Sequence, residues 1–161
     1  MEIECTRGSV FFWHAHFAGG MVNDRNSCVD ELMNLDSVSP ILNLWRTLHD
    51  GILKGHQPLR LYGNAHTYGT EGYCHKDNDD TENYFTTIYY GHPQWNCNWG
   101  GELLFFDEND EVIDSVVAKP GRIIHFHGAI KHKVSSVSRE CPALRVSYVI
   151  KTQLGDVADE N

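Results

Sequence analysis

Between residues 59 and 151 the chain falls into short strand-like runs cut at close intervals by turn formers, and this punctuation limits what it can fold into. Gly69-Thr70-Glu71-Gly72, Asp107-Glu108-Asn109-Asp110 and Lys119-Pro120-Gly121 mark turns, since they hold the residues favoured where a backbone reverses. The runs between turns predict strands over 59–68, 72–77, 84–91, 101–107, 111–118, 121–127, 132–138 and 143–151. Many short strands at near-regular spacing predict an all-β sandwich or barrel. Eight of them in so short a stretch match a jelly roll, so the fold class is mainly β.

The first part of the chain carries the helical pattern. Ser39-Pro40 reads as an N-cap and first helical residue, where proline loses no hydrogen bond. Ile41, Leu44, Trp45, Leu48 and Ile52 recur at three- and four-residue steps and form one apolar face. Gly51 or Gly55 can end this helix, and a weaker one is expected over 29–35. One or two N-terminal helices would then pack on the outer sheet and cover apolar side chains. Val10-Phe11-Phe12-Trp13 reads as a further strand, and the tail from Gly155 onward as frayed.

A length of 161 residues points to a single domain, 1–161, with the jelly-roll core at about 59–151. A chain of this size buries roughly 70% of its unfolded surface, enough for one core. The net charge of −9, with no basic run, argues against nucleic acid as a partner. The five cysteines are odd in number and show no CxxC spacing, which predicts neither a disulfide framework nor a zinc site. Met1-Glu2-Ile3-Glu4 lacks the basic start and apolar run of a signal peptide, and no stretch is apolar for long enough to span a membrane. A cytoplasmic protein with reduced thiols is expected.

The chemistry concentrates at His75-Lys76-Asp77. On a strand, alternate residues share a face, so His75 and Asp77 would enter the same cavity. His132 opens the seventh predicted strand and would lie alongside. Two imidazoles and one carboxylate on one face of an octahedron form the ligand set of a mononuclear non-haem Fe(II) site, with three positions left open. His127 is the rival third ligand; it alternates with His125 on a strand that follows a Pro-Gly turn and otherwise reads as core.

Arg145 and Ser147 alternate on the last strand, with Leu144, Val146, Tyr148 and Ile150 on its other face. An inward arginine needs an anionic partner. A bound carboxylate fits the planar guanidinium through two parallel hydrogen bonds, and Ser147 can add another. A salt bridge to Glu102 is the structural alternative. Arg60, Tyr62, Asn64, His66 and Tyr68 form a polar stripe at period two on the first long strand, where a core strand would carry Val or Leu. The Tyr68 end runs toward His75, and Tyr90 offers a further phenol.

Taken in order, Tyr68-Gly69, Gly72-Tyr73, His75-Lys76-Asp77, Ile88-Tyr89-Tyr90, Gly100-Gly101-Glu102-Leu103, Pro120-Gly121-Arg122, His132-Lys133-Val134 and Arg145-Val146-Ser147 resemble the 2-oxoglutarate/Fe(II)-dependent dioxygenases. The resemblance covers about residues 59–151 and is nearest to the prolyl 4-hydroxylases, which are procollagen-proline 4-dioxygenase-like and include the hypoxia type. It implies a double-stranded β-helix with the metal at its mouth. It also implies Fe(II) on His75, Asp77 and His132, and 2-oxoglutarate held by Arg145 and Ser147 with Tyr90 assisting and Tyr68 near the iron-side end. Ascorbate is implied as an accessory reductant. Collagen-type enzymes place a lysine where this chain has Arg145, so that position looks like the hypoxia-type branch. Related halogenases replace the carboxylate by a small residue, so Asp77 favours hydroxylation. The stretch from Ser135 to Pro142 lengthens the interval to Arg145 and predicts an extended hairpin loop.

The implied reaction consumes dioxygen and 2-oxoglutarate, releases succinate and carbon dioxide, and hydroxylates an unactivated carbon. A prolyl residue of a peptide or protein is the expected substrate, with a free amino acid or other small metabolite as the alternative. The acidic loop 78–83 reads as a solvated turn or a lid, and Trp95 and Trp99 as stacking surfaces or rim packing. A cupin-like metalloprotein and a non-enzymatic jelly-roll module are the competing classes. The cupin pair of alternating histidines with a downstream glutamate is absent, and the intact His75, Asp77, His132 and Arg145 set argues against the module.

Overall fold

The computed structural model describes residues 2–6, 10–20, 25–37, 39–70 and 72–155. Within them the chain runs β1 (Glu2–Thr6), β2 (Val10–Ala18), α1 (Arg25–Met33), α2 (Pro40–His49), β3 (His56–His66), β4 (Tyr84–Tyr90), β5 (Leu103–Phe106), β6 (Val112–Val116), β7 (Ile123–His127), β8 (Lys131–Val134) and β9 (Arg145–Leu154), with a 3-10 turn at Cys97–Trp99. All strand pairs are antiparallel: a larger sheet in the order β1-β2-β3-β9-β4-β7 faces a smaller one in the order β6-β5-β8. This is the expected jelly roll, widened at one edge by β1 and a β2 longer than predicted. The chain after Gly155 lies outside the described residues.

Two apolar layers hold the sheets. Ile88, Tyr90, Leu103, Phe105, Phe126 and Val149 fill the space between them. On the outer face of the larger sheet, Leu61 and Ile150 pack against Leu32 of α1 and Leu48 of α2, with Ile41, Leu44 and Trp45 around them. The predicted apolar face of α2 is buried from Ile41 to Leu48, but Ile52 lies beyond the helix and is exposed, and Leu42, outside that face, is buried. Pro40 stands at the start of α2 as expected, but Ser39 makes no side-chain cap there. The predicted helix at 29–35 starts four residues earlier and ends two residues earlier.

One predicted strand is corrected. Residues 72–77 form no ladder; they hold a single bridge between His75 and His132 and backbone hydrogen bonds from Gly72 N to Val134 O at 3.4 Å and from Asp77 N to Gly128 O at 2.8 Å. Gly72, Tyr73, Cys74, Lys76 and Asp77 bring no β-branched side chain to a pleated surface, so little favours a regular strand. The segment still docks beside β8 where a fourth strand of the smaller sheet would lie. The loop after β8 is long, as predicted, and is pinned by bridges from Val137 to Gly100 and Tyr68.

Candidate active site

Strand parity builds the site. Arg60, Tyr62, Asn64 and His66 of β3, Thr86 and Ile88 of β4, and Arg145, Ser147, Val149 and Lys151 of β9 all face one cavity of about 340 Å³. The polar stripe of β3 is therefore the cavity wall, as its composition implied. Leu103, His132 and Val134 of the smaller sheet, Gly72, Tyr73, His75 and Asp77 of the segment beside it, and Phe12 and His14 of β2 line the rest.

At one end His75, Asp77 and His132 each offer a ligand atom, and these atoms lie within 4.8 Å of one another. His75 Nε2 is 3.4 Å from Asp77 Oδ1 and His132 Nε2 is 3.5 Å from Asp77 Oδ2. His75 Nδ1 donates to the Tyr73 carbonyl and His132 Nδ1 to the Ile130 carbonyl, each at 2.8 Å. A carbonyl can only accept, so both rings keep a proton on Nδ1, and Nε2, which faces the carboxylate, is the atom left to bind a metal once it gives up its own proton. This donor set fits Fe(II). The His75 side chain is half exposed while His132 is buried, which puts the mouth of the cavity at His75.

Asp77 is braced from behind. Thr86 Oγ1 donates to its Oδ2 at 2.6 Å, and the Lys151 ammonium pairs with the same oxygen. Burial alone would raise the carboxyl pKa, but the His75 hydrogen bond and the nearby Lys151 and His132 charges hold it well below the usual carboxylate range. Burial in turn lowers the Lys151 pKa, opposed by Asp77. Sequence reading did not single out Thr86 or Lys151. Their parity with Tyr90 and Arg145 carried the signal.

The buried end is built around Arg145, only 1% exposed. Its Nε donates to the Gly101 carbonyl at 2.6 Å and its Nη2 to the Tyr90 hydroxyl at 3.0 Å. No carboxylate forms an ion pair with it among the described residues; Glu102 instead accepts from Ser135 Oγ at 2.6 Å. Gly101 sits at φ +72°, and a Cβ there would stand 2.8 Å from Arg145 Cδ, so only glycine lets the guanidinium lie this close to the backbone. Trp95 fixes this turn by donating to the Gly100 carbonyl at 3.0 Å and packing at a tilt against the His92 ring. The tryptophans thus serve the rim rather than the cavity.

Several expected positions are corrected. Tyr68 is 57% exposed and stands outside the cavity, under the guanidinium of Arg139. It falls beyond the last residue of β3, where the chain turns away. His125 and His127 do not point into the barrel; they pack with Phe85 on the opposite face of β7, and His125 bonds Thr87 Oγ1 at 2.9 Å. The acidic loop 78–83 is the exposed turn that is one of its two readings: it closes on itself through Asn78 and Asp80 side chains and does not line the cavity.

His66 is buried beside Arg145, and its Nδ1 finds no partner among the described residues. Burial, helped by the arginine charge, lowers its pKa from 6.5 to about 3. Between those values the unfolded chain takes up the proton and the folded chain does not. Stability is therefore complete above pH 6.5 and falls toward pH 3, by up to ~1.4 kcal/mol per unit from this residue. In urea titrations from pH 7 to 4, His66→Phe is expected to lose up to that much of the slope. Equal slopes in both proteins would mean that folded His66 protonates freely.

Residues 63–150 match the model of the 2OG-Fe(II) oxygenase superfamily, and the chain belongs to that family. Its cofactors are accordingly Fe(II) and 2-oxoglutarate. No curated protein sequence matches this chain. Among solved structures, a 2OG-Fe(II) oxygenase-family oxidoreductase from Burkholderia pseudomallei is 17% identical, with a TM-score of 0.69 over 96% of this chain and 72% of that one. A Pseudomonas putida prolyl-4-hydroxylase is 18% identical, with a TM-score of 0.55 over 91% of this chain and 70% of that one. A Trichoplax adhaerens prolyl hydroxylase, solved with a hypoxia inducible factor peptide fragment, is 18% identical, with a TM-score of 0.52 over 88% of this chain and 62% of that one. At these identities the likeness shows a shared fold.

Proposed function

We propose that this chain hydroxylates an unactivated carbon, with a prolyl residue of a peptide or protein as its target and succinate and carbon dioxide as co-products. One observation carries the reading: a single cavity has two imidazoles and a carboxylate at one end and, at the other, a buried arginine with no acidic partner among the described residues. In this reading His75, Asp77 and His132 hold the metal. Arg145 pairs with the distal carboxylate of 2-oxoglutarate, with Ser147 and Tyr90 beside it. Bound Fe(II) supplies the redox chemistry that couples decarboxylation of 2-oxoglutarate to oxygen transfer.

The protein's part is orientation and exclusion of water. The carbonyls of Tyr73 and Ile130 lock the imidazole tautomers, and Thr86 and Lys151 fix the rotamer of Asp77. Ile88, Leu103, Val134 and Val149 provide a dry wall between the two ends. The prolyl target draws support from the sequence resemblance. A free amino acid or other small metabolite is the second reading, because a cavity of about 340 Å³ is at the small end of ligand pockets, which run about 300–1,000 Å³. The thiols of Cys28, Cys74, Cys97 and Cys141 suit a cytoplasmic setting.

The test is a mass-spectrometric screen of the Fe(II)-loaded protein with 2-oxoglutarate against proline peptides, free amino acids and metabolites. The expected result is gain of one oxygen atom by a substrate together with succinate. A protein that binds Fe(II) and 2-oxoglutarate yet forms no succinate under any condition would sink the proposal.

A further inference from the structure

Resting on the oxygenase reading above, we infer that Lys151 is a resident counter-cation of the metal site. It positions Asp77 before a metal binds, weakens the hold on a divalent metal alone, and strengthens the hold on the dianionic cosubstrate that follows. Lys151 belongs to β9, where its Cα partners are Arg60 of β3 on one side and Thr86 of β4 on the other. It is 5% exposed and lines the cavity. Its ammonium pairs with Asp77 Oδ2 and donates to Thr86 Oγ1 at 3.1 Å.

Bracing alone does not explain a charge at this position. Thr86 Oγ1 already donates to the same carboxylate oxygen at 2.6 Å. What the ammonium adds to that bond is positive charge, set in a wall shielded from water. An ammonium there is costly unless an anion faces it, and the carboxylate of Asp77 has the complementary need. The pair also joins two elements of unequal strength. Lys151 stands on a laddered strand, whereas Asp77 stands on the irregular segment 72–77. The ion pair therefore sets the ligand in place ahead of the metal.

Charge balance gives the rest. Without a metal, Asp77 and Lys151 cancel. A divalent metal on Asp77 leaves two positive charges uncompensated beside the ammonium, and like charges repel strongly where water is excluded. A dianionic 2-oxoglutarate brings two negative charges to the same wall and cancels both. Arg145 adds the same charge to every one of these states. Lys151 thus opposes the metal, favours the cosubstrate, and is nearly indifferent to the two together. The result is a site that fills firmly only when both are present.

The test titrates Mn(II), a divalent ion stable in air, into the apoprotein and reads the free ion by its spin-resonance signal; 2-oxoglutarate is then titrated into the Mn(II)-loaded protein. Lys151→Met and Lys151→Gln are each expected to bind Mn(II) alone at least ~10-fold more tightly than the parent. Their Mn(II)-loaded forms should bind 2-oxoglutarate more weakly by a similar factor, so that the product of the two dissociation constants moves less than ~3-fold. Lys151→Gln keeps a hydrogen-bond donor for Asp77 and guards against misfolding of the methionine variant. Thr86→Val removes a bond to the same oxygen but leaves the charge, so it should not tighten Mn(II). As apoproteins the two Lys151 variants should melt below the parent and gain more on adding Mn(II). Mn(II) binding that is unchanged or weaker in both Lys151 variants overturns the inference and leaves Lys151 as a brace. Equal tightening in Thr86→Val overturns it too, as do Lys151 variants that melt with the parent. In each of those cases a parent that binds Mn(II) and then 2-oxoglutarate keeps the oxygenase reading. A parent that binds neither Mn(II) nor Fe(II) removes both.

Discussion

Asp77→Ala is expected to abolish Fe(II) binding and 2-oxoglutarate turnover, and also to weaken the apoprotein. The first effect follows from loss of the only carboxylate among the described residues that faces the two Nε2 atoms. The second follows from Lys151, whose buried ammonium keeps only the Thr86 hydroxyl among the described residues once Asp77 is gone. Removing one partner of a buried pair typically costs about 3–5 kcal/mol. Asp77→Ala/Lys151→Met should recover much of that stability, since no charge is left buried without a partner. It should recover none of the metal binding. Thermal melts of the apoproteins and Fe(II) titrations of both variants separate the two effects. A single variant that still binds Fe(II) and makes succinate would exclude Asp77 as a ligand.

Arg145→Met has its largest expected effect at the other end of the cavity. Truncating one side of a buried, hydrogen-bonded charge pair costs about 2–5 kcal/mol, or roughly 30-fold to several-thousand-fold in affinity. The loss should fall on 2-oxoglutarate, while Fe(II) affinity changes little, because Arg145 touches none of the three ligand residues. Without 2-oxoglutarate the variant is not expected to melt far below the parent. It loses bonds to Gly101 O and Tyr90 Oη but also sheds a buried cation. The decisive comparison is the melting shift on adding 2-oxoglutarate to the metal-loaded proteins: a rise in the parent and none in the variant. A full shift in Arg145→Met would place the cosubstrate elsewhere.

Much of this site was legible in the sequence because strands report their faces directly. Period two placed Arg60, Tyr62, Asn64 and His66 on one wall, and Arg145 with Ser147 on another, and the structure keeps both sets in the cavity. The same rule, carried one step further along β9, would have reached Lys151. Parity failed where the strand ended. Tyr68 continues the stripe in sequence, but β3 stops at His66 and the tyrosine turns outward. His125 and His127 were misplaced because a run reading Arg122-Ile123-Ile124-His125-Phe126 suggests burial on both sides. In the fold Phe126 takes the core and the histidines share the other face with Phe85. Segment 72–77 was legible as a ligand carrier but not as an irregular one, since what holds it is the backbone of Gly128 and His132, distant in sequence.

That irregular segment gives the site an uneven mechanical foundation. His132 and Arg145 stand on laddered strands, whereas His75 and Asp77 stand on an arm tied to the β7–β8 region by few backbone hydrogen bonds. Such an arm has low local stability and opens more readily than the sheets beside it. A metal that draws its two side chains toward His132 also clips the arm to the barrel. Part of the binding energy would then go into ordering backbone, and iron affinity would depend on how firmly the arm is held.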